Sequence, residues 1–245
     1  MSQNYGFLKY LVFLNNQHCL YNKMRQKAIC TIRVEFFAVN SLQALHAYIK
    51  KIIEDDPAHD YSHIMRVYNN AQKIAKREKV NARLILAAVL LHDIVQFPKS
   101  DPRNKTASKK SAILAKKILQ KYDFTESEIK IICDAIRDHS YSRGKIPKTL
   151  EGKVLQDADR LDALGAIGIA RTFSVGGSEK RKIYNESDPF CIKRKPDDDS
   201  WTVDHFYTKL LLLEKRMNTK YGKFLAKKRT RLMIKFLSNM RSELD

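Results

Sequence analysis

A histidine and an aspartate follow directly on an apolar stretch of the sequence. Residues Leu84 to Leu91 read L-I-L-A-A-V-L-L, and His92 and Asp93 come next. Moving a charged group out of water is costly unless the group is paired or bound to a metal. An imidazole and a carboxylate side by side are suitable ligands for a divalent transition metal. The pattern therefore predicts a metal site at the end of a buried helix.

A second segment offers histidine ligands. From His59 to Val67 the sequence reads H-D-Y-S-H-I-M-R-V. His63 stands one helical turn before Val67 and so shares a side with core residues, while His59 lies one turn earlier and is the alternative ligand. Arg66 follows His63 by three residues, so it would lie at the edge of the same site as a phosphate-binding cation.

A third segment, from Leu155 to Gly165, supplies acidic residues. It reads L-Q-D-A-D-R-L-D-A-L-G, so Asp157, Asp159 and Asp162 lie within an otherwise apolar helix. Buried carboxylates require partners. Asp159 and Asp162 are one turn apart on one face, whereas Asp157 points elsewhere. A further ligand is expected among these three.

Two histidines and two aspartates leave coordination positions open on a six-coordinate ion such as Mn or Fe(II). Water and substrate must fill such positions in a catalytic site. We expect one divalent metal ion, with Mn favoured and Fe, Co, Ni, Zn or Mg as alternatives. The sequence contains no nucleophile elbow, Walker loop or G-x-G-x-x-G motif, so covalent or P-loop chemistry has no support.

Helical periodicity predicts an all-α fold, a single irregular helical bundle, to carry these segments. Residues 1–40 lack this periodicity and are expected to be a poorly ordered N-terminal extension before a domain at 41–245. Gly176 and Gly177 are expected to end a helix before a polar loop or lid at 176–200. The predicted helices are 42–53, Asp60–Glu78, Ala82–Val95, Ala107–Lys121, Glu126–His139, Leu150–Phe173, Trp201–Asn218 and Gly222–Ser242.

Composition restricts the compartment and the partners. No segment is apolar enough to span a bilayer, so no membrane partner is expected, and four scattered cysteines indicate a reducing, cytoplasmic location. The formal net charge of +19 is compatible with a phosphorylated substrate or with nucleic acid. The basic run from Lys220 to Arg231 supports the competing hypothesis, a non-catalytic nucleic-acid-binding or signalling module that uses a metal-stabilised bundle.

The three segments together resemble the HD-domain metal-dependent phosphohydrolase superfamily, whose pattern is H…HD…D on a helical bundle. The resemblance covers roughly residues 42 to 240. Three stretches, H-D-Y-S-H-I-M-R-V, H-S-Y-S and T-L-E-G-K-V-L-Q-D-A-D-R-L-D-A-L-G-A-I-G-I-A-R-T-F, are similar to a small stand-alone bacterial subgroup associated with nucleotide pyrophosphohydrolysis. The Glu-Asp pair of the (p)ppGpp hydrolases is absent from 94–97, and so is the G-Y-P motif of the cyclic-dinucleotide branch.

The resemblance implies a ligand set and a reaction. The implied metal ligands are His63, His92, Asp93 and Asp159. The implied reaction is hydrolysis of a phosphorylated small molecule, most naturally a nucleotide, with release of pyrophosphate from a triphosphate as one outcome. Either Asp162 or the second oxygen of Asp93 would accept the proton of the attacking water. The candidates for stabilising the phosphoryl charge are Arg66, Lys105, Lys109 and His139.

Overall fold

Nine α-helices, with short 3₁₀ turns between some of them, make up the residues that the computed structural model describes, namely 41–52, 61–97 and 101–244. The helices are α1 (41–52), α2 (Tyr61–Glu78), α3 (Ala82–Leu91), α4 (Ala107–Leu119), α5 (Glu126–Asp138), α6 (Leu150–Asp162), α7 (Gly165–Ser178), α8 (Asp204–Thr208) and α9 (Lys220–Leu244). These ranges contain no β-strand, only one isolated bridge between Lys182 and Trp201. The predicted all-α fold is confirmed.

The chain divides into two units, residues 1–44 and residues 45–245, and helices α2 to α9 lie in the second. The predicted extension at 1–40 lies outside the described residues, and so does His59. Within the described ranges, no helix is both long and apolar enough to cross a membrane.

Helix α3 is the centre of the bundle. Its residues from Leu84 to Leu91 are all buried, and it packs against α2, α5 and α6. A helix that is apolar on every side is stable only when it is enclosed by other elements. Helices α2 and α6 also pack on each other, as do α5 and α6. Consequently, α2, α5 and α6 surround α3 and bring side chains to the point at which it stops.

Side-chain caps fix where three of these helices begin. Asn81 accepts a hydrogen bond from Leu84 N at the start of α3, and Thr149 accepts one from Gly152 N at the start of α6. Thr125 and Glu128 form a reciprocal capping box at the start of α5. Each cap acts within three residues of the capping side chain, so the local sequence is sufficient to specify it.

The predicted long helix from Leu150 to Phe173 is wrong, because the chain breaks between α6 and α7. Leu164 is extended and Gly165 adopts a φ of +79°, which favours glycine. A Cβ on Gly168 would lie 2.2 Å from the carbonyl oxygen of Ala163, so the turn also requires a glycine there. The second segment then continues to Ser178, and Gly176 and Gly177 lie inside α7 instead of ending it.

The predicted helix from Trp201 to Asn218 is also wrong. Only α8 is α-helical in this stretch, and two 3₁₀ turns follow, Leu210–Leu212 and Glu214–Arg216. A 3₁₀ geometry repeats every three residues and so places positions i and i+3 on one side. Leu210 and Leu213 are both buried in this arrangement. The chain thus passes close to the bundle without a long helix.

Candidate active site

Two histidines are held by the same local device at the ends of α3 and α5. His92 caps α3, and its Nδ1 lies 2.7 Å from the carbonyl oxygen of Val89. His139 caps α5, and its Nδ1 lies 2.6 Å from the carbonyl oxygen of Ile136. Because a carbonyl oxygen can only accept, Nδ1 carries the proton in both rings. When the ring is neutral, each Nε2 therefore presents a lone pair, which is the form that binds a metal.

His63 from α2 is oriented by a carboxylate. Its Nδ1 donates to Oδ2 of Asp162 across 2.8 Å, and both side chains are 2% exposed. Asp162 also accepts hydrogen bonds from Nε of Arg66, at 2.7 Å, and from Arg171. Burial raises the pKa of Asp162, but the hydrogen bonds from His63 and Arg66 outweigh it and hold that pKa well below its usual range. Asp162 is therefore a charged acceptor that fixes the His63 ring.

The Nε2 atoms of the three histidines converge on Asp93 and Asp159. His92 Nε2 lies 3.5 Å from Asp93 Oδ2, and His63 Nε2 lies 3.7 Å from Asp159 Oδ1. His139 Nε2 lies 3.5 Å from Asp93 Oδ1, the other oxygen of that carboxylate. Ligands bound at about 2.1 Å from one ion lie roughly 3–4 Å from each other. The five side chains are therefore spaced as metal ligands are.

One atom of the cluster requires a partner that these groups do not supply. His92 is fully buried, and within the described ranges its Nε2 has no hydrogen-bond partner. A buried polar atom left without a partner costs about 1–3 kcal/mol. A divalent ion accepts this lone pair and balances the nearby carboxylates, so the residues present fit a metal. Two overlapping groups, His63–His92–Asp159 and His92–Asp93–His139, could hold it.

The pKa values of the two capping histidines, His92 and His139, are shifted in opposite directions. Burial lowers the pKa of His92, which keeps its ring neutral and able to bind a metal. Burial opposes protonation of His139 as well, but the hydrogen bond to Asp93 and the charges of Asp93 and Asp159 raise its pKa overall. His139 is therefore suited to hold a proton beside Asp93.

A cavity of about 270 Å³ opens on this cluster. Three cations, Arg160, Arg171 and Lys209, contribute to its wall. They come from α6, α7 and the residue that follows α8. The remaining polar and aromatic lining includes Gln96, Phe97, Asn104, Ser108, Ser140 and Tyr141. The site thus combines carboxylates and imidazoles on one part of its surface with cations and aromatic rings on another, which suits an anionic ligand.

Of the four residues predicted to stabilise phosphoryl charge, His139 lines this cavity, whereas Arg66, Lys105 and Lys109 do not. Lys105 and Lys109 are exposed on the 3₁₀ turn before α4 and on α4 itself. Arg66 bonds to Asp162 and is likewise absent from the described lining. The basic run from Lys220 to Arg231 forms the start of α9 and contributes no residue to that lining.

Asp157 serves a different purpose from Asp159. It accepts hydrogen bonds from the backbone and side chain of Asn218 and from those of Thr219, just before α9. It is fully buried, and burial raises its pKa. Asp157 therefore anchors the start of the last helix, whereas Asp159 faces the cavity.

The sequence analysis gave no role to Arg171 or Lys209, although Arg171 lies in the stretch A-I-G-I-A-R-T-F that carries part of the family resemblance. Arg171 lies in an apolar helix, and Lys209 precedes a run of four leucines, so each resembles an ordinary surface cation. Only the turn at Gly165 and the 3₁₀ turns after α8 bring them to the cavity.

The loop from 179 to 203, which overlaps the predicted lid, is tied by its own hydrogen bonds. Asp188 accepts from the backbone N–H groups of Ile192, Lys193 and Arg194, and Arg194 pairs with buried Asp204. None of the described residues 179–203 lines the cavity. These contacts give no support to closure over the site.

Comparison with known proteins identifies relatives over most of the chain. The model of the HD domain family matches residues 60–164. Uncharacterized protein YpgQ of Bacillus subtilis (strain 168) is 30% identical over 206 residues, which cover 82% of this chain and 93% of the relative.

Solved structures with the same fold are similar over the same part of the chain. An HD-superfamily hydrolase from Bacillus thuringiensis is 35% identical, with a TM-score of 0.66, over 84% of this chain and 97% of its own. A structure of Bacillus subtilis YpgQ in complex with ADP has a TM-score of 0.66 and 25% identity, over 84% of this chain and 96% of its own.

Proposed function

The chain belongs to the HD domain family and is a metal-dependent hydrolase, and from this premise we propose that its substrate is a nucleotide. The observation that carries the proposal is the convergence of three imidazole Nε2 atoms and two carboxylates beside a cavity lined with cations. The structure of the related YpgQ in complex with ADP supports the nucleotide class.

In this proposal, His63, His92, Asp93 and Asp159 hold one divalent ion, and Mn is the ion expected first. When bound, the ion lowers the pKa of water and polarises a phosphoryl oxygen. The hydrogen bonds that His63 and His92 donate from Nδ1 support this set, because they hold each Nε2 toward the carboxylates. Such outer contacts fix ring orientation and strengthen the ligand.

In this reaction Asp93 accepts the proton of the attacking water, and His139 assists Asp93. A water molecule attacks phosphorus in line, and its proton passes to Asp93. His139 Nε2 lies 3.5 Å from Oδ1 of the same carboxylate, so it stabilises the charge on Asp93 or receives the proton from it. Asp162 is a poor acceptor because its depressed pKa and its three cationic or imidazole partners favour the ionised form. We therefore give it the role of positioning His63.

We propose that the bond broken lies between the α- and β-phosphates of a nucleoside triphosphate. The oxygen of water forms a bond to the α-phosphorus, and the bridging oxygen leaves with its electron pair as part of pyrophosphate. The cations in the cavity wall support a ligand that carries more negative charge than one phosphate.

The free thiols of Cys133 and Cys191 support a cytoplasmic location.

The test is a product assay on a nucleotide panel. Nucleoside mono-, di- and triphosphates are incubated with Mn²⁺, and phosphate and pyrophosphate are measured separately. Pyrophosphate from triphosphates is expected with the native protein and with Asp134→Ala, a control carboxylate on the surface of α5, but not with Asp93→Ala. Phosphate released from monophosphates instead would contradict the proposed bond, and no product from any nucleotide would contradict the substrate class.

A further inference from the structure

Lys209 differs from the other cations of the cavity wall in having no acceptor. Arg171 donates to Asp162, and Arg160 donates to the carbonyl oxygen of Arg216. Among the described residues, Lys209 Nζ has no carboxylate within 4.0 Å and no hydrogen-bond acceptor, and the contact found for it is the ring of Tyr141, whose centroid is 5.0 Å away. The ammonium group therefore lies in the cavity wall without an anion.

The backbone holds Lys209 firmly in this position. Its φ of −139° ends α8, its N–H donates to His205 O, and its carbonyl oxygen accepts from Leu212 N. The next residue, Leu210, is 2% exposed and anchors the turn in the core. The turn therefore places the backbone of Lys209 at the cavity wall, from which its side chain reaches the cavity.

Tyr141 forms a second part of this wall. The Arg216 guanidinium lies 4.9 Å from the centroid of the same ring that Lys209 contacts. Cations near an aromatic ring are held by the quadrupole of the ring, and the gain is modest. A ring contact of this strength does not replace the charge of an anion, and burial lowers the pKa of Lys209 accordingly. An anion that enters the cavity therefore supplies the negative charge that the ring of Tyr141 does not.

The charge balance of the cavity indicates the class of anion. A divalent ion would balance Asp93 and Asp159, and Asp162 is already paired with Arg66 and Arg171. Among the described residues, neither Lys209 nor Arg160 then has a carboxylate partner of its own, so the cavity wall carries positive charge beyond what the phosphate group at the metal would balance. A chain of two or three phosphates supplies that charge, whereas an isolated phosphate monoester does not.

We propose that Lys209, beside Tyr141, forms a subsite for the pyrophosphate portion of the substrate, the part that leaves when the α–β bond is broken. This inference rests on the proposed function in its choice of substrate. The role assigned to Lys209 is binding: it donates hydrogen bonds to the non-bridging oxygens of the β- or γ-phosphate. The subsite would make the enzyme select polyphosphates over monophosphates.

The test is the binding of inorganic pyrophosphate to the full-length protein with Mn²⁺, measured by calorimetry. Lys209→Ala should weaken pyrophosphate binding by roughly 10- to 100-fold, as expected for loss of a charge-assisted hydrogen bond. It should weaken orthophosphate binding less, and Lys209→Arg should restore much of the pyrophosphate affinity. Lys215→Ala, an exposed lysine on the following 3₁₀ turn, is the matched control and should match the native protein.

Two outcomes would overturn the subsite. One is native affinity for pyrophosphate in a Lys209→Ala protein whose thermal unfolding and Mn²⁺ binding are unchanged. The other is a native protein with Mn²⁺ bound that does not bind pyrophosphate. If Lys209→Ala itself fails to fold, Lys209→Met provides the same comparison with the length of the stem retained.

Kinetic measurement separates this inference from the proposed function. Hydrolysis of triphosphates with an unchanged kcat/KM in Lys209→Ala would reject the subsite and leave the nucleotide proposal standing. If instead the protein binds pyrophosphate through Lys209 but hydrolyses no nucleotide, the subsite stands and the nucleotide proposal is rejected.

Discussion

At the scale of single residues, the centre of the site is built by orienting imidazoles. His63, His92 and His139 each donate from Nδ1 to a fixed oxygen, and each directs Nε2 toward the carboxylates. Two of these oxygens are backbone carbonyls, and each lies in the helix that its histidine caps. Local helix geometry is therefore sufficient to orient His92 and His139. The third belongs to Asp162, which is 99 residues away from His63 and is itself held by two arginines.

This difference leads to a prediction for Asp162→Asn. An amide cannot hold a full negative charge among three donors, so the His63 ring should lose its fixed orientation. Because outer contacts of a metal ligand are worth about 10- to 100-fold in affinity, Mn²⁺ should bind more weakly by about that factor. Calorimetric titration with Mn²⁺ measures the change, with Asp134→Asn as the control. Native Mn²⁺ affinity in Asp162→Asn would show that Asp162 does not position His63.

A second prediction concerns the two acids that the sequence offered as alternatives. Asp157→Ala removes the acceptor of four donor groups and should lower the free energy of unfolding by about 2–4 kcal/mol, with Mn²⁺ affinity retained. Asp159→Ala should abolish Mn²⁺ binding with a smaller loss of stability in the absence of metal. Denaturant unfolding and calorimetry on both variants give the comparison, and the reverse order would exchange their roles.

The resemblance supplied the candidate ligands from the sequence because the motif residues are also close in the chain to helix ends. Lys209 could not be found in this way. Its part in the cavity depends on a turn after α8, and the surrounding residues T-K-L-L-L-L-E-K carry no signal for it. Arg66 was found but assigned to phosphate, since its partner Asp162 lies on another helix.

At the scale of elements, caps were predictable and breaks were not. Asn81, Thr125 and Thr149 act within three residues of themselves, so the sequence alone contains the whole interaction. The break between α6 and α7 depends on Gly165, against which the side chain of Arg229 packs from α9. An apolar pattern that continues through a glycine favours an uninterrupted helix, and only tertiary packing selects the turn.

The break provides a prediction with an internal control in α7. Gly168→Ala would bring a Cβ to 2.2 Å from the backbone oxygen of Ala163, so the turn must shift and the protein should be destabilised. Gly177→Ala meets nothing within 4 Å and should stabilise the helix by about 0.5–1 kcal/mol. Thermal unfolding of both variants tests this. Equal stability of the two would show that the close approach at Gly168 does not restrict the turn.

At the scale of the whole molecule, one small cluster connects distant parts of the chain. The proposed ligands come from α2, the end of α3 and α6, and His139 lies beside them at the end of α5, so an ion bound there would join three helices that already pack together. The all-α class and this set of helices followed from periodicity. The cavity did not, because its wall also requires α7 and the turns after α8.

Metal binding should therefore stabilise the entire domain. A ligand that binds only the folded state adds about 2.7 kcal/mol at a concentration 100 times its Kd. Chelator-treated protein should unfold at a lower temperature, and added Mn²⁺ should restore the transition. Identical unfolding with and without Mn²⁺, under conditions where calorimetry shows binding, would mean that the ion is held elsewhere than among these helices.

The central claim is that the histidine–aspartate cluster is the site of a single divalent ion, and the most direct test is calorimetric titration of chelator-treated protein with Mn²⁺. The native chain and Asp134→Ala should each bind one ion per chain. Asp93→Ala should lose far more than the roughly 10- to 100-fold expected for an outer contact, with its helical circular dichroism unchanged. Binding of one ion by Asp93→Ala at native affinity would contradict the assignment.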